Sequence, residues 1–164
     1  MKRHRLSDNA KAMVCRWYLA GVVYFFVAFG TPLGSRLTTI DLVFTLATGT
    51  GCLTVFVLDP ILWRMFDLTE HGKVANIAYF ARSRRVAYLY KLAQLFRCML
   101  CVAMVALIYH VANICILQLF HLPEGTVALK GEPFLFATLY VTLYWVTEKV
   151  RLALKKEKTC DIKH

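Results

Sequence analysis

The hydrophobic positions of the chain fall into four long runs, at about residues 13–33, 38–60, 98–120 and 134–150. A helix needs about 20 largely apolar residues to cross the hydrocarbon core of a bilayer. The third run meets this length and contains no Asp, Glu, Lys or Arg, and the second has only Asp41 and Asp59 near its ends. The pattern therefore predicts an all-α integral membrane protein, a four-transmembrane-helix bundle that forms one membrane domain over residues 1–164.

The first run admits two interpretations. From Trp17 to Phe29 it is only thirteen residues long, and behind a basic leader this length also fits the hydrophobic region of a signal peptide. It becomes a complete span, 13–33, if the long side chain of Arg16 carries its charge toward the membrane surface. We expect the complete span.

The fourth run is short for a membrane helix. It begins after Pro133 and meets Glu148-Lys149 after fifteen residues, 133–147, which as a helix cover only about 22 Å. Local thinning of the bilayer or packing against longer helices would compensate for this length. We expect it to cross, because Pro133 suits the first turn of a helix and aromatic and basic residues follow where an interface would lie.

Composition agrees with a membrane location. Hydrophobic residues make up 59% of the chain, and its mean hydropathy is positive. This is more apolar material than a soluble domain of 164 residues needs for its core.

The basic residues determine the expected orientation. Of the 20 Lys and Arg residues, the leader holds five, the segment between the second and third runs holds seven and the tail holds six, while the two other loops hold only Arg36 and Lys130. Short loops rich in Lys and Arg stay in the cytoplasm. Both termini are therefore expected to be cytoplasmic, and a bacterial plasma membrane is the expected location.

The segment 61–97 is expected to be a basic, amphipathic, cytoplasmic connection between the second and third helices. Apolar residues recur in it at helical spacing, which favours a helix on the membrane surface. A cytoplasmic extension of the third span, from about Tyr88 onward, is the alternative. The net charge of +10 is then explained by anionic lipid headgroups rather than by nucleic acid. The side chains assigned to headgroups or to a partner protein are Arg82, Arg84, Arg85 and Lys91.

Polar residues inside the spans are the candidates for a functional site. His110 and Asn113 share one face of the third span, and either contact a substrate or proton, or hydrogen-bond a neighbouring helix and fix the packing. The residues expected to form a polar face with them are Thr45, Thr48, Tyr140 and Tyr144. Asp59 is expected to cap the inner end of the second span or to meet Arg64. Glu148 with Arg151, three residues later, resembles a helix pair.

Small residues and cysteines suggest packing rather than chemistry. Ala47 and Gly51 have the spacing that lets helix backbones approach closely. The Cys98-x-x-Cys101 pair lies at the cytoplasmic end of the third span, where a disulfide is not expected. It also lacks a second nearby pair for zinc. Cys52 and Cys115 are expected to be buried packing residues. No metal and no cofactor are predicted.

Two functional hypotheses follow. The first is a non-catalytic subunit or scaffold of a larger membrane assembly, because no catalytic constellation is present. The second is a small oligomeric transporter or lipid flippase that uses the polar residues of spans two to four. Both imply contact with membrane lipids and either a membrane-protein partner or further copies of the chain.

Overall fold

The computed structural model describes residues 7–29, 39–66, 84–121, 123 and 132–161, and within these ranges all regular structure is helical. The elements in chain order are α1 (Asp8–Ala28), α2 (Thr39–Cys52), a π-helical segment (Leu53–Leu58), α3 (Asp59–Met65), α4 (Arg84–Leu119) and α5 (Pro133–Asp161).

Three helical stretches in the described part of the chain are long and apolar enough to cross a membrane. They are Asp8–Ala28 with 21 residues, Ile40–Leu62 with 23 and Ala87–Leu119 with 33. Helix α5 has 29 residues but does not join this group. Its apolar part ends at Glu148-Lys149, although the helix itself continues to Asp161.

Neighbouring helices run antiparallel. On α1 and the second helical stretch, Arg16 pairs with Asp59, while Val23 lies against Gly49, 3.5 Å from where its Cβ would be. One number rises as the other falls, so the two helices point in opposite directions.

The same reversal relates the second helical stretch to α4. Gly51 lies against Leu95, and the Lys91 ammonium lies 5.9 Å from the centroid of the Phe56 ring. Helix α5 is antiparallel to both α4 and α1. Arg97 and Cys101 of α4 meet Glu148 and Thr147 of α5, and Arg16 and Tyr24 of α1 meet Tyr144 and Phe136. The four elements therefore form an up-down-up-down ring in which α1 packs mainly on α5 and α2 packs mainly on α4.

Helix α1 starts before the apolar run that marks it. The Ser7 side chain accepts a hydrogen bond from the backbone N–H of Ala10 at 3.3 Å, and Asp8 in the first turn favours the positive end of the helix dipole. The helix therefore covers Asp8–Ala28 rather than the predicted 13–33. Residues 30–38 lie outside the described part of the chain.

The π-helical segment has a local cause in Pro60. Proline has no N–H to give, and in an α-helix its ring would clash with the carbonyl four residues earlier, which belongs to Phe56. The chain widens here instead, and the N–H of Asp59 bonds the carbonyl of Thr54, five residues back. The chain continues as helix through Pro60, and the side chain of Asp59 is directed into the bundle, where it is buried.

The connection between the second and third spans is partly described. Helix α4 begins at Arg84 and runs without a break to Leu119, so residues 84–97 form the extension of the third span that was the alternative to a surface helix. The predicted segment 67–83 lies outside the described residues.

The run of small residues in α2 lies at helix contacts within the bundle. Gly51 is buried, and a Cβ at this position would lie 2.8 Å from Cδ1 of Leu95 and 3.5 Å from Cβ of Cys98. A Cβ at Gly49 would meet only Val23, at the ordinary contact distance of 3.5 Å. Close approach of α2 and α4 therefore depends on Gly51 in particular.

Replacing Gly51→Val is expected to destabilise the protein by about 1–3 kcal/mol, because the added methyl groups must displace Leu95 or the α4 backbone. The matched variant Gly49→Val faces an open contact and is expected to cost clearly less. Unfolding in mixed detergent micelles measures both, and equal losses would contradict the close α2–α4 contact.

Candidate functional site

Each helix of the ring contributes one charged residue to the same layer of the bundle. These are Arg16 from α1, Asp59 from α3, Arg97 from α4 and Glu148 from α5, and the ring of Tyr144 lies among them. We call these five residues the charge cluster. Its two positive and two negative groups have a formal net charge of zero.

The Arg16–Asp59 pair is the buried half of the charge cluster. Nη2 of Arg16 donates to Oδ1 of Asp59 at 2.8 Å, and the two side chains are 10% and 2% exposed. Removing charges from water is costly, and their attraction repays this only where the geometry is good. Removing either Arg16 or Asp59 alone would therefore leave a buried charge that destabilises the bundle.

Arg97 and Glu148 form the second pair, which lies closer to the edge of the bundle. Nη1 of Arg97 donates to Oε2 of Glu148, and the Glu148 side chain is about a third exposed. This bond ties α4 to α5 as the first pair ties α1 to α3.

Tyr144 joins the two pairs through its aromatic ring. The guanidinium carbons of Arg16 and Arg97 lie 4.9 and 4.1 Å from the ring centroid. A planar guanidinium stacks well on an aromatic face and is attracted by its negative charge density. Two cations that would otherwise repel each other are therefore held near one ring and are neutralised by two carboxylates.

Aromatic and sulfur-containing side chains surround the charge cluster. Tyr140 is fully buried, and its ring centroid lies 6.2 Å from that of Tyr144. The thiols of Cys98 and Cys101 are buried on the facing side of α4, and Sγ of Cys101 lies 3.9 Å from Oγ1 of Thr147. These groups limit the access of solvent to the ion pairs.

Several buried polar atoms near this layer have no hydrogen-bond partner among the described residues. They are Nε of Arg16 and Arg97 and the hydroxyl oxygen of Thr50. Buried polar groups usually have a hydrogen-bond partner. Groups without one occur at functional sites and also where the structure is strained.

Of the predicted polar face, the structure brings only part into the core. Tyr140 and Tyr144 are buried and adjacent. Thr45 and His110 are exposed on the outside of the bundle, and Thr48 and Asn113 are half-buried. The four charged residues of the charge cluster were not among the predicted site residues.

The expected partners of Asp59 and Glu148 were wrong. Asp59 pairs with Arg16 instead of Arg64, whose side chain is exposed. Glu148 pairs with Arg97 instead of the nearby Arg151, whose guanidinium lies 5.7 Å from the ring centroid of Tyr90. Local spacing favoured neighbours on one helix, whereas the bundle pairs residues 43 and 51 positions apart. The sequence contained a clue to this pairing. Two cations and two carboxylates lie within or beside the apolar runs, and charged groups in a membrane need partners of opposite charge.

The predicted headgroup residues lie at the basic end of α4. Arg85 is exposed, and Lys91 extends over the ring of Phe56. The side chains of Arg82 and Arg84 lie outside the described set. Of the cysteines expected to be buried, Cys52 is half-buried and Cys115 is exposed. Among the described residues, no group of three His, Cys, Asp or Glu side chains is placed to hold a metal ion.

A groove of about 290 Å³ runs between α1 and the start of α5. Its walls are almost entirely apolar and include Tyr18, Phe25 and Phe26 of α1 and Phe134 of α5. The chemistry of this groove suits hydrocarbon chains.

Comparison with known proteins found no family model, no curated protein and no solved structure that matches the chain.

Breaking the buried pair is expected to be costly. Arg16→Met or Asp59→Asn alone should destabilise the bundle by about 3–5 kcal/mol, because each leaves an uncompensated buried charge. The double variant should lose much less than the sum, since no unpaired charge remains. Unfolding free energies of the four proteins in detergent form the double-mutant cycle.

The Lys11–Asp8 pair provides a matched control on the same helix. Its atoms are 2.7 Å apart, almost the same as in the buried pair, but its side chains are 42% and 34% exposed. Lys11→Met and Asp8→Asn should each change stability by less than about 1 kcal/mol. A cycle in which both pairs show the same small coupling would refute the structural role of the Arg16–Asp59 pair.

Proposed function

We propose that the protein is a non-catalytic subunit or scaffold of a larger membrane assembly, with four membrane-crossing helices and both termini on the cytoplasmic side of a plasma membrane. The observation that carries this proposal is the charge cluster. Its cations and carboxylates pair with one another and join the protein's own helices, as expected of groups with a structural role.

The crossing of α5 is supported by the pairing of Glu148. An unpaired charged residue needs water and therefore marks the end of an apolar span. The Glu148 carboxylate is bonded to Arg97, so it can lie deeper in the membrane. Helix α5 also packs antiparallel along α1, which is itself long enough to cross. Four antiparallel crossings leave both termini on one side, where the Lys and Arg residues are concentrated.

Two features support a non-catalytic role: the ionisable groups of the buried pair are inaccessible to a substrate, and the groove is lined by apolar side chains. A general acid or base must come within hydrogen-bond reach of a substrate. Arg16 and Asp59 are buried and bonded to each other, and the groove between α1 and α5 is apolar. The two features that a catalytic centre combines are thus separated in this bundle.

The outer surface supports an assembly role. Large apolar side chains are exposed along α1, α2 and α4, as expected where lipid or other membrane helices cover the bundle. At the basic end, the exposed Arg85 and Arg151 suit anionic lipid headgroups, each worth about 1 kcal/mol of attraction. This charge does not require a nucleic acid.

A small oligomeric transporter or lipid flippase is the second candidate. The observation in its favour is a set of fully buried hydroxyl groups inside the bundle, at Thr50, Thr54 and Tyr140. Thr54 lies in the π-helical segment. Ionisable groups in spans and π-helical turns both occur often at functional sites.

The topology is tested by labelling introduced cysteines with a membrane-impermeant maleimide, in a Cys160→Ser background. Ser7→Cys and Ala153→Cys should react from the same side of sealed vesicles, and Pro123→Cys from the opposite side. If position 153 reacted together with position 123, helix α5 would not cross, and the four-span proposal would be wrong.

The function is tested by purifying the tagged native protein in mild detergent and identifying every bound protein and lipid by mass spectrometry. A different membrane protein in constant ratio is expected for a scaffold. A preparation of this chain alone that moves lipid or solute across reconstituted vesicles would contradict the scaffold. Loss of that transport in Tyr140→Phe, with His110→Ala and Asn113→Ala compared, would then locate the pathway.

A further inference from the structure

The outward face of α4 carries a regular stripe of exposed residues. From the cytoplasmic end its members are Leu89, Ala93, Phe96, Leu100, Ala103, Leu107, His110 and Ile114, and each is exposed. They are separated alternately by four and three residues. We call this stripe the α4 seam.

The α4 seam lies opposite the face that packs inside the bundle. The buried residues Gln94, Cys98, Cys101 and Val105 follow the same alternation of four and three. At 100° per residue, the two stripes are centred about half a turn apart on the helix. The seam therefore points directly away from the protein's own core.

The spacing of the α4 seam is that of a helix-helix interface. A repeat averaging 3.5 residues keeps one face of a helix against a partner as both wind around each other to the left. The seam extends over about 38 Å of helix at 1.5 Å per residue. Small residues at Ala93 and Ala103 allow close approach of a second backbone.

His110 is the polar member of the seam, and it indicates what the partner must offer. Its side chain is exposed within the apolar stretch Ala87–Leu119, where hydrocarbon gives no hydrogen bond to an imidazole. A polar side chain in this position is stabilised by another polar side chain at the same depth. A neutral imidazole has one donor and one acceptor nitrogen, so two imidazoles can bond each other.

We propose that the α4 seam binds the same seam of a second copy of this chain, in a parallel two-fold dimer with the two His110 side chains bonded across the axis. Two copies inserted in the same orientation place residue 110 at the same depth, and a two-fold interface brings each residue near its own copy. The inference deepens the proposed function, because it rests on α4 spanning the membrane and names one partner surface of the assembly.

The seam is tested by disulfide cross-linking of cysteines introduced one at a time, in native membranes and in a background with Cys115→Ser and Cys160→Ser. Ala103→Cys, Leu107→Cys and Ile114→Cys should form dimers on mild oxidation, because a disulfide requires Cα atoms within about 7 Å. Met104→Cys and Ile108→Cys lie at similar depth but on the flank of the helix, and should cross-link several-fold less. Equal cross-linking at all five positions, or at the flank alone, would overturn the proposal.

The role of His110 is tested by energy transfer between labelled copies in lipid vesicles. His110→Leu should weaken the dimer about tenfold, which corresponds to about 1.4 kcal/mol, and His110→Asn should restore much of it, since an amide also donates and accepts. Because the side chain is exposed, these variants leave the core intact. Unchanged association in His110→Leu would refute the imidazole contact.

The outcomes for the dimer and the scaffold are distinguishable. A different protein cross-linked to the seam in place of a second copy would overturn the dimer and leave the scaffold standing. Seam dimers in a preparation that contains no other protein and transports lipid would support the dimer and remove the scaffold.

Discussion

Burying Arg16 together with Asp59 is the constraint on which the bundle depends. A guanidinium and a carboxylate on different helices, both almost inaccessible to solvent, tolerate little relative movement because each is the main neutraliser of the other. The remainder of the charge cluster extends this constraint around the ring. Tyr144 accepts both guanidinium groups on its ring, and Arg97 bonds Glu148. One layer thus ties all four walls of the bundle together.

Local irregularities in the helices are consistent with this layer. The π-helical segment accommodates Pro60 and leaves Asp59 facing the interior, so a backbone defect supplies the acid of the central pair. Gly51, two residues before the segment, lets α2 lie close to Leu95 of α4. Helix α5 continues beyond its apolar part, and Glu148 at the end of that part bonds Arg97. Each feature is unfavourable in an isolated helix and becomes favourable only in the ring.

The bundle separates internal polarity from external apolarity. The charges of the charge cluster are directed inward and are matched to one another, whereas the exposed faces of the bundle present large hydrocarbon side chains. His110 departs from this arrangement, since it is a polar residue on an outer apolar face. Both observations agree with the scaffold that we propose, associating through α4. The interior holds the subunit together without using its outer surface, and the outer surface remains available for partners within the membrane.

The sequence by itself predicted an all-helical chain with four apolar stretches, and it predicted the start of α5 near Pro133, because length and hydrophobicity are local properties of a sequence. In the part of the chain that the structure describes, three helical stretches are long and apolar enough to cross a membrane. The distribution of Lys and Arg in the sequence supplied an expected orientation. Only the tertiary structure decided that Asp59 meets Arg16 instead of Arg64, and Glu148 meets Arg97 instead of Arg151. These choices depend on how four helices are rotated about their axes and shifted along them. No local pattern encodes that arrangement, because the energy of an ion pair depends on distance and burial in space rather than on separation along the chain.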